Sequence, residues 1–138
     1  MSKADDIKAV KKTIGVFGAA FAKRDVDTIL SVWDDQYETP MWQPEEILEP
    51  LLTQEAVQGY FRNLPNAIKG VTDIKPMNFA VDVIGDFAHC LSRATATIHL
   101  HDRPSVTGEV RQTFILRKRD DKWRLIHQHE SRLTPGFN

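Results

Sequence analysis

The 138-residue sequence predicts a single α+β domain, covering residues 1–138, in which N-terminal helices pack on a curved antiparallel β-sheet. Two observations support this fold class. In the first half of the chain, apolar residues recur at steps of three and four, the spacing of one face of an α-helix. Beyond Gly70 the chain is rich in Val, Ile, Thr and aromatic residues, divided by short turn sequences, which is typical of antiparallel strands. Because the helices come first and the strands afterwards, the helices can cover only one face of the sheet.

Three helices are predicted before residue 65. The first ends near Lys23, and its apolar stripe consists of Ile7, Val10, Ile14, Phe17 and Phe21. Asp25 can accept hydrogen bonds from the free amide groups of a first turn, so it caps a second helix. The apolar face of that helix consists of Val26, Ile29, Leu30 and Trp33. Thr53 opens a third helix, which Pro65 ends because the residue before a proline is pushed out of helical space.

The remaining elements are strands and loops. Residues 36–50 hold Pro40, Pro44 and Pro50, which lack an amide donor, so this segment predicts a short edge strand followed by an irregular loop. Four longer strands are predicted at residues 79–84, 87–100, 106–119 and 123–133, joined by three hairpin turns.

The composition restricts the partners. Lys and Arg number 18 against 19 acidic residues, so nothing favours binding to nucleic acid or to an anionic membrane. The charged N-terminal segment lacks the apolar run of a secretory signal, and no stretch approaches the roughly 18 apolar residues of a membrane span. Cys90 is the only cysteine, which excludes an intrachain disulfide. We therefore expect a cytoplasmic protein without a cofactor.

Alternation of side chains assigns the faces of the long strands. In the strand at 106–119, the set predicted to face the helices is Val106, Val110, Gln112, Phe114 and Leu116. In the strand at 87–100, one face is made of small residues: Ala88, Cys90, Ser92, Ala94 and Ala96. A flat row of small residues suits close approach by another surface, so we expect a homodimer through this sheet face. The opposite face, with His89, Arg93 and Thr95, is then the wall of a pocket.

Three segments carry a resemblance to a known family. They are EAVQGYFRNL at residues 55–64, GDFAHC at 85–90 and RKRDDKWRLIHQH at 117–129. With the order of elements, they resemble the nuclear transport factor 2-like superfamily, which includes SnoaL-like cyclases, ketosteroid isomerases and scytalone dehydratase. Within it they look most like the association domain of calcium/calmodulin-dependent protein kinase II and its stand-alone bacterial relatives. The resemblance implies a cystatin-like cone, with a cavity between the helices and the sheet, and a dimer formed through the sheet.

The chain departs from this association domain in its cavity. Three arginines line the cavity there, and the matching positions here are Thr95, Phe114 and Glu130. Their absence argues against carrying over an acidic ligand by resemblance. The alignment also implies that Glu130, Gln128 and Ile126 point inward from the last strand.

A second departure concerns the isomerases of the superfamily. These place a catalytic carboxylate immediately before a proline in the first strand. Here Thr39 precedes Pro40, and Glu38 is one residue early. The resemblance therefore disfavours an isomerase of that specific type.

Glu130 is the leading candidate for catalysis. In a desolvated cavity the pKa of its carboxyl would rise, which makes it a candidate general acid or base. Arg93 shares the predicted inward face and is a candidate cation beside it. The alternative is a structural ion pair between Arg93 and Glu130 without a catalytic role. His89 is a further candidate for proton transfer, its alternative being a core histidine.

Aromatic and polar side chains complete the predicted ligand site. The candidate ligand-binding residues are Trp33, Tyr37, Trp42, Phe61, Thr95, Gln112, Phe114 and Gln128. Trp42 lies with Met41 in the proline-bounded segment, where both are expected to form a lid. The alternative for the aromatic residues is a place in the core. An apolar cup with a few polar groups is the usual form of a small-ligand site, so the expected partner is a small hydrophobic molecule.

A metal centre is not predicted. His127 and His129 lie two residues apart on one strand, a spacing that can chelate a metal. A third ligand at a suitable spacing is missing, and a metal-dependent oxygenase would need one.

The sequence leaves two main functions open. The first is a small-molecule-binding protein. If it is an enzyme, the expected types are an isomerase, a cyclase or a lyase that acts by general acid/base chemistry on a hydrophobic carbonyl compound. The second is a non-catalytic homo-oligomerisation or interaction module with the same fold. A cavity already filled by Phe114 and Leu91 would favour the second.

Overall fold

The computed structural model describes residues 2–133 and has four helices packed on one five-stranded sheet. The helices are α1 (Lys3–Lys23), α2 (Val26–Val32), α3 (Gln54–Arg62) and α4 (Leu64–Ala67). The strands are β1 (Met41–Gln43), β2 (Ile68–Ile84), β3 (Phe87–Leu100), β4 (Val106–Arg119) and β5 (Lys122–Arg132). The α+β class is therefore confirmed. Among the described residues, no helix is long and apolar enough to cross a membrane.

The sheet has the order β1-β5-β4-β3-β2. The four long strands form an antiparallel meander, as predicted. The short β1 runs parallel to β5, so the sheet is mixed rather than wholly antiparallel.

The predicted helix starts are confirmed by their caps. The Asp25 carboxylate accepts from the backbone N–H of Thr28, and the Thr53 hydroxyl accepts from that of Ala56. The third helix ends earlier than predicted. Helix α3 ends at Arg62, and Pro65 lies in the first turn of α4, where a residue without an N–H donor is tolerated.

Strand β2 is much longer than the predicted strand at residues 79–84. The sequence did not indicate the part of β2 before residue 79, because this part carries several polar residues and Pro76. The structure accommodates these residues at the edge of the sheet, where β3 is the one partner of β2 among the described strands and the register shifts three times, once next to Pro76.

The register between β3 and β4 corrects the predicted faces of β3. Cys90 lies opposite Phe114 and Ser92 lies opposite Gln112, so the small residues share the inward face. Arg93 and Thr95 therefore start from the outer face. The prediction was wrong because alternation divides a strand into two faces but does not say which face is covered. Because the small residues face inward, they no longer support a contact with a second subunit.

A β-bulge explains why two successive apolar residues of β5 are both buried. Ile115 pairs with His127, but the next residue of β4, Leu116, pairs with Leu125. Ile126 is thus an extra residue, and Leu125 takes the inward place that the resemblance gave to Ile126. Both side chains are buried.

Aromatic rings from four elements form the centre of the core. The Phe61 ring of α3 stacks on Trp42 of β1, with ring centroids 5.9 Å apart and planes 10° from parallel. Phe17 of α1 meets both Phe61 and Phe114 edge to face, each at 6.0 Å. Such pairs contribute about 0.5–1.5 kcal/mol each beyond their buried area, so they fix α1 and α3 over the sheet.

Candidate functional site

A cavity of about 1010 Å³ lies between the helices and the inward face of β2, β3 and β4. Its apolar wall includes Ile14, Phe17, Phe21, Leu64, Ile68, Val71, Ile74, Phe79, Ala94, Ala96, Ile98, Leu100, Val110 and Phe114. The exposed β3–β4 turn residues His101 and Arg103 mark one place where it reaches the surface. Its volume matches the upper end of the range for small-molecule sites, about 300–1,000 Å³.

Small residues on both sides create this space. Ala94 and Ala96 line the cavity from β3, and Gly15 and Gly18 line it from α1. Apart from the adjacent residues and backbone of α1 itself, no heavy atom of the described residues lies within 4 Å of the position that a Cβ would take on either glycine. The row of small residues on β3, which had suggested a contact between subunits, therefore leaves space for the cavity on the inward face of the sheet.

Glu130 and Gln112 form a polar pair on the cavity wall. Gln112 lies opposite Glu130 across β4 and β5, and its Nε2 donates to the carboxylate Oε2 at 2.7 Å. Burial, with smaller contributions from the Glu45 and Glu46 charges, raises the pKa of Glu130 to about 7. The Gln112 hydrogen bond and the Arg132 charge act in the opposite direction. Glu130 can therefore accept or donate a proton near neutral pH.

Tyr60 of α3 adds a phenol to the same cavity. Its Oη donates to Oε1 of Glu46 at 2.7 Å. Burial first, and then the Glu46, Glu130 and Glu45 carboxylates, raise the pKa of Tyr60 well above its usual range. Tyr60 is therefore a neutral hydrogen-bond donor near neutral pH.

The loop after β1 supplies two further acids, Glu45 and Glu46, to the cavity lining. Arg132 of β5 donates from Nε to Glu45 Oε1 at 2.8 Å. Sequence reasoning missed Tyr60, Glu45 and Glu46, which line the cavity, as site residues. The available signal for the loop was a pair of adjacent acids in a proline-bounded segment, whereas Tyr60 falls on the apolar face of its helix with Val57 and Phe61.

Four of the predicted site residues line the cavity: Glu130, Arg93, Gln112 and Phe114. The predicted pairing of Arg93 with Glu130 is not found. Arg93 instead donates from Nε to Glu109 Oε1, and from Nη1 to Asn78 Oδ1 at 2.9 Å. The reason is the β3 register, since Arg93 starts on the opposite face of the sheet from Glu130.

Two predicted site residues lie on the outer face of β3, away from the cavity lining. His89 is largely exposed, with Nε2 3.7 Å from the Asp82 carboxylate. Thr95 pairs with Glu109 and is likewise outside the lining. Both residues were predicted to point inward because the two faces of β3 had been exchanged. The register of β3 with β4 places them on the outer face.

Five further predicted ligand-binding residues do not line the cavity: Trp33, Tyr37, Trp42, Phe61 and Gln128. Four of them are buried in the core, including Gln128, which lies between Trp42 and Phe114 in one cross-strand row. Trp42 is therefore a core residue and not a lid, whereas Met41 is exposed. Tyr37 lies under the Arg117 guanidinium, 5.6 Å from its carbon to the ring centroid.

The outer face also carries His127 and His129, which pair with Ile115 and Thr113. Within residues 2–133, no group of three or more His, Cys, Asp or Glu side chains is arranged to hold a metal ion.

Comparison with known proteins assigns the fold. A family model described as a SnoaL-like domain matches residues 10–135. Among solved structures, a candidate dehydratase of the NTF2-like family from Streptomyces avermitilis is 18% identical, with a TM-score of 0.82 over 95% of this chain and 99% of that one. A protein from Caulobacter vibrioides with a cystatin-like fold is 14% identical, with a TM-score of 0.76 over 93% and 89%.

The association-domain resemblance also has a structural counterpart. A candidate calcium/calmodulin-dependent protein kinase type II association domain from Thiobacillus denitrificans is 21% identical, with a TM-score of 0.69 over 90% of this chain and 94% of that one. At these identities the likeness concerns the fold. A search of curated proteins gives no match.

Proposed function

The chain belongs to the SnoaL-like domain family of the nuclear transport factor 2-like superfamily, and on this premise we propose that it binds a hydrophobic small molecule in its cavity and moves a proton on it with Glu130. The observation that carries the proposal is the Gln112–Glu130 pair on the wall of a large apolar cavity. Apolar walls with a few convergent polar groups, one of them with a shifted pKa, are the usual features of a small-molecule site.

The arrangement favours general acid/base chemistry on a carbonyl compound. With a pKa of about 7, the ionised Glu130 can take a proton from a carbon next to a carbonyl group, and the protonated form can return it. Tyr60 is a neutral donor in the same cavity lining, and it can polarise a carbonyl oxygen once its single O–H turns from Glu46 to the ligand. Proton transfers of this type are steps of isomerase, cyclase and lyase reactions.

The rival proposal is an assembly module that uses the fold only as a scaffold. A cavity filled by its own side chains would support that alternative. Instead the side chains leave about 1010 Å³, Phe114 forms part of the wall, and Leu91 is on the outer face and half exposed. These placements support ligand binding over a purely structural role.

Two measurements test the proposal. Binding is measured with N-phenyl-1-naphthylamine, a neutral fluorescent probe, whose emission should rise on entering the apolar cavity. Proton transfer is measured by NMR as the exchange of α-hydrogens of 2-tetralone, an enolisable hydrophobic ketone, in D₂O.

The wild-type protein should accelerate this exchange, and Glu130→Gln should lose most of the acceleration while still binding the probe. Glu49→Gln, the same change in an exposed loop outside the cavity lining, is the matched control. Absence of probe binding would contradict the ligand site. Equal exchange rates with wild type and Glu130→Gln would contradict the role of Glu130.

A further inference from the structure

One cross-strand row on the cavity wall joins Glu130 to the open edge of the sheet. Glu130 of β5 lies opposite Gln112 of β4. On the other side of Gln112, the row continues through Ser92 of β3 to Phe79 of β2. All four residues line the cavity. Neighbouring strands lie about 4.8 Å apart, so the three steps of this row span about 14 Å.

The cavity reaches the surface at the Phe79 end of this row. β2 is an edge strand of the described sheet, and its lining residues Ile74, Pro76 and Phe79 are exposed. Helix α1 packs beside β2 and lines the cavity with Gly15 and Gly18, which are exposed as well. Glycine weakens a helix interior, and no other element of the described chain approaches the Cβ position of either glycine. Packing within the described chain therefore does not require these glycines, and they leave a cleft open between α1 and β2.

The path from this cleft to Glu130 suits an apolar chain. On the inward face of β4, Gln112 is flanked by Val110 and Phe114, and both of these line the cavity. The Gln112 amide already donates to Glu130. Ser92, the next residue of the row, has a short side chain that takes up little of the cavity. An apolar chain can therefore lie over the row without leaving a buried polar group unpaired.

We infer that the substrate is an elongated hydrophobic carbonyl compound that lies across the strands, with its reacting carbon at Glu130 and an apolar chain leaving over Phe79. This inference rests on the proposed function and adds a substrate class to it. The chain covers the exposed Phe79 ring and fills the cleft beside Gly15 and Gly18. Ser92 contributes to specificity by leaving room for the chain.

The charges around the cavity favour a neutral chain in this direction. Glu45 and Glu46 line the cavity and act on Glu130, and an uncharged ligand is not repelled by them. The cleft carries one cation of α1, Lys11, which is exposed and can keep its ammonium group in water. The other opening, at the β3–β4 turn, is lined by the polar, exposed residues 101–103 and offers an apolar chain less cover.

The test compares two methyl ketones with the same reacting group, 2-pentanone and 2-undecanone, by NMR of α-hydrogen exchange in D₂O. The wild-type kcat/KM should be at least about 100-fold higher for 2-undecanone, because each buried methylene contributes roughly a factor of four. Equal values for the two ketones would overturn the inference and leave the proposed function standing. Failure to accelerate the exchange of either ketone would contradict the proposed function, and the inference with it.

Variants locate the path of the chain. Ser92→Leu adds bulk in the middle of the row, so it should lower kcat/KM for 2-undecanone by about tenfold or more. The value for 2-pentanone should not change, which shows that the proton-transfer site is intact. Phe79→Ala removes the ring that the chain covers and should lower the 2-undecanone value by roughly three- to tenfold.

Phe87→Ala is the matched control, since Phe87 is also an exposed phenylalanine of the sheet but does not line the cavity. It should leave both values unchanged. A preference for the long ketone that survives Ser92→Leu or Phe79→Ala, as expected if the chain leaves at the β3–β4 turn, would overturn the inference. Loss of the preference in Phe87→Ala would overturn it too.

Discussion

The amide of Gln112 donates to the carboxylate of Glu130 across two neighbouring strands, at 2.7 Å. The bond favours the ionised carboxylate, whereas burial favours the neutral acid. Because the two effects oppose each other, Glu130 can change its charge near neutral pH. The proton transfer that we propose for the cavity therefore depends on this pair.

The first prediction concerns stability and pH. The pKa of Glu130 is raised to about 7 in the folded protein, from an ordinary value of 4.5, so the folded state binds the proton more tightly than the unfolded state. Stability is then greatest below about pH 4.5 for this group and falls as the pH rises through 7, by up to about 3 kcal/mol. Urea unfolding between pH 5 and 8 should show this fall in wild type and not in Glu130→Gln. Parallel pH profiles for the two proteins would contradict the shifted pKa.

The second prediction concerns Gln112. Gln112→Leu removes the hydrogen bond that lowers the pKa of Glu130, so the pH midpoint of ketone α-hydrogen exchange should move upward by about one unit or less. Thr113→Val changes a neighbouring exposed residue that starts from the outer face, and should leave the midpoint in place. A midpoint unchanged in Gln112→Leu would show that the bond does not control the titration.

Local signals predicted much of the fold correctly. Asp25 and Thr53 cap helices through their own side chains, and the cap needs only the next three residues to form. The turns of the meander are similarly local. The long β2 was missed in part because its pairing with β3, rather than its own composition, holds Pro76 and its polar neighbours in a strand.

The candidate site was less predictable because it depends on pairing between distant residues. Alternation in β3 gave two possible faces, and only the register with β4 shows that Ala94 is inside. The register also explains why Arg93, whose pairing with Glu130 the sequence left open, donates to Glu109 and Asn78 instead. Arg132 meets Glu45 through a fold-dependent contact between a loop and the last strand, which no spacing in the sequence reveals.

The third prediction tests this face assignment. Ala94→Leu places a larger side chain in the cavity and should weaken binding of N-phenyl-1-naphthylamine by about tenfold or more, because it takes up apolar ligand space. Thr95→Leu, at the next residue, points the added atoms outward and should leave binding unchanged. If the two variants exchanged these effects, the register of β3 would be wrong.

The fourth prediction concerns a buried ion pair that joins α2 to the last hairpin. Asp34 is fully buried and accepts from Arg119 Nε at 3.2 Å and from the backbone N–H of Gln36 at 3.0 Å. Burial opposes ionisation, but these hydrogen bonds and the nearby arginine charges hold the pKa of Asp34 below its ordinary value. Asp34→Ala should lower the free energy of unfolding by about 1–3 kcal/mol, since the backbone N–H of Gln36 and the half-buried Arg119 guanidinium lose their acceptor.

Urea unfolding at pH 7 measures this loss. Asp35→Ala, at an exposed position next along the chain, is the control and should change stability by less than about 0.5 kcal/mol. Similar losses in both variants would show that the ion pair is not what makes Asp34 important.

The fifth prediction concerns the outer face of the sheet, where we propose that a second copy of the chain binds. The small residues no longer support a dimer, but Leu91 and Met41 are large apolar side chains, 52% and 45% exposed, on this uncovered side. Light scattering after size exclusion should give a dimer for wild type and a monomer for Leu91→Glu, because burying an unpaired carboxylate at the interface is costly. Leu48→Glu alters a loop residue that is 91% exposed and should remain dimeric. A monomeric wild type, or a dimer that survives Leu91→Glu, would remove this face as the site of association.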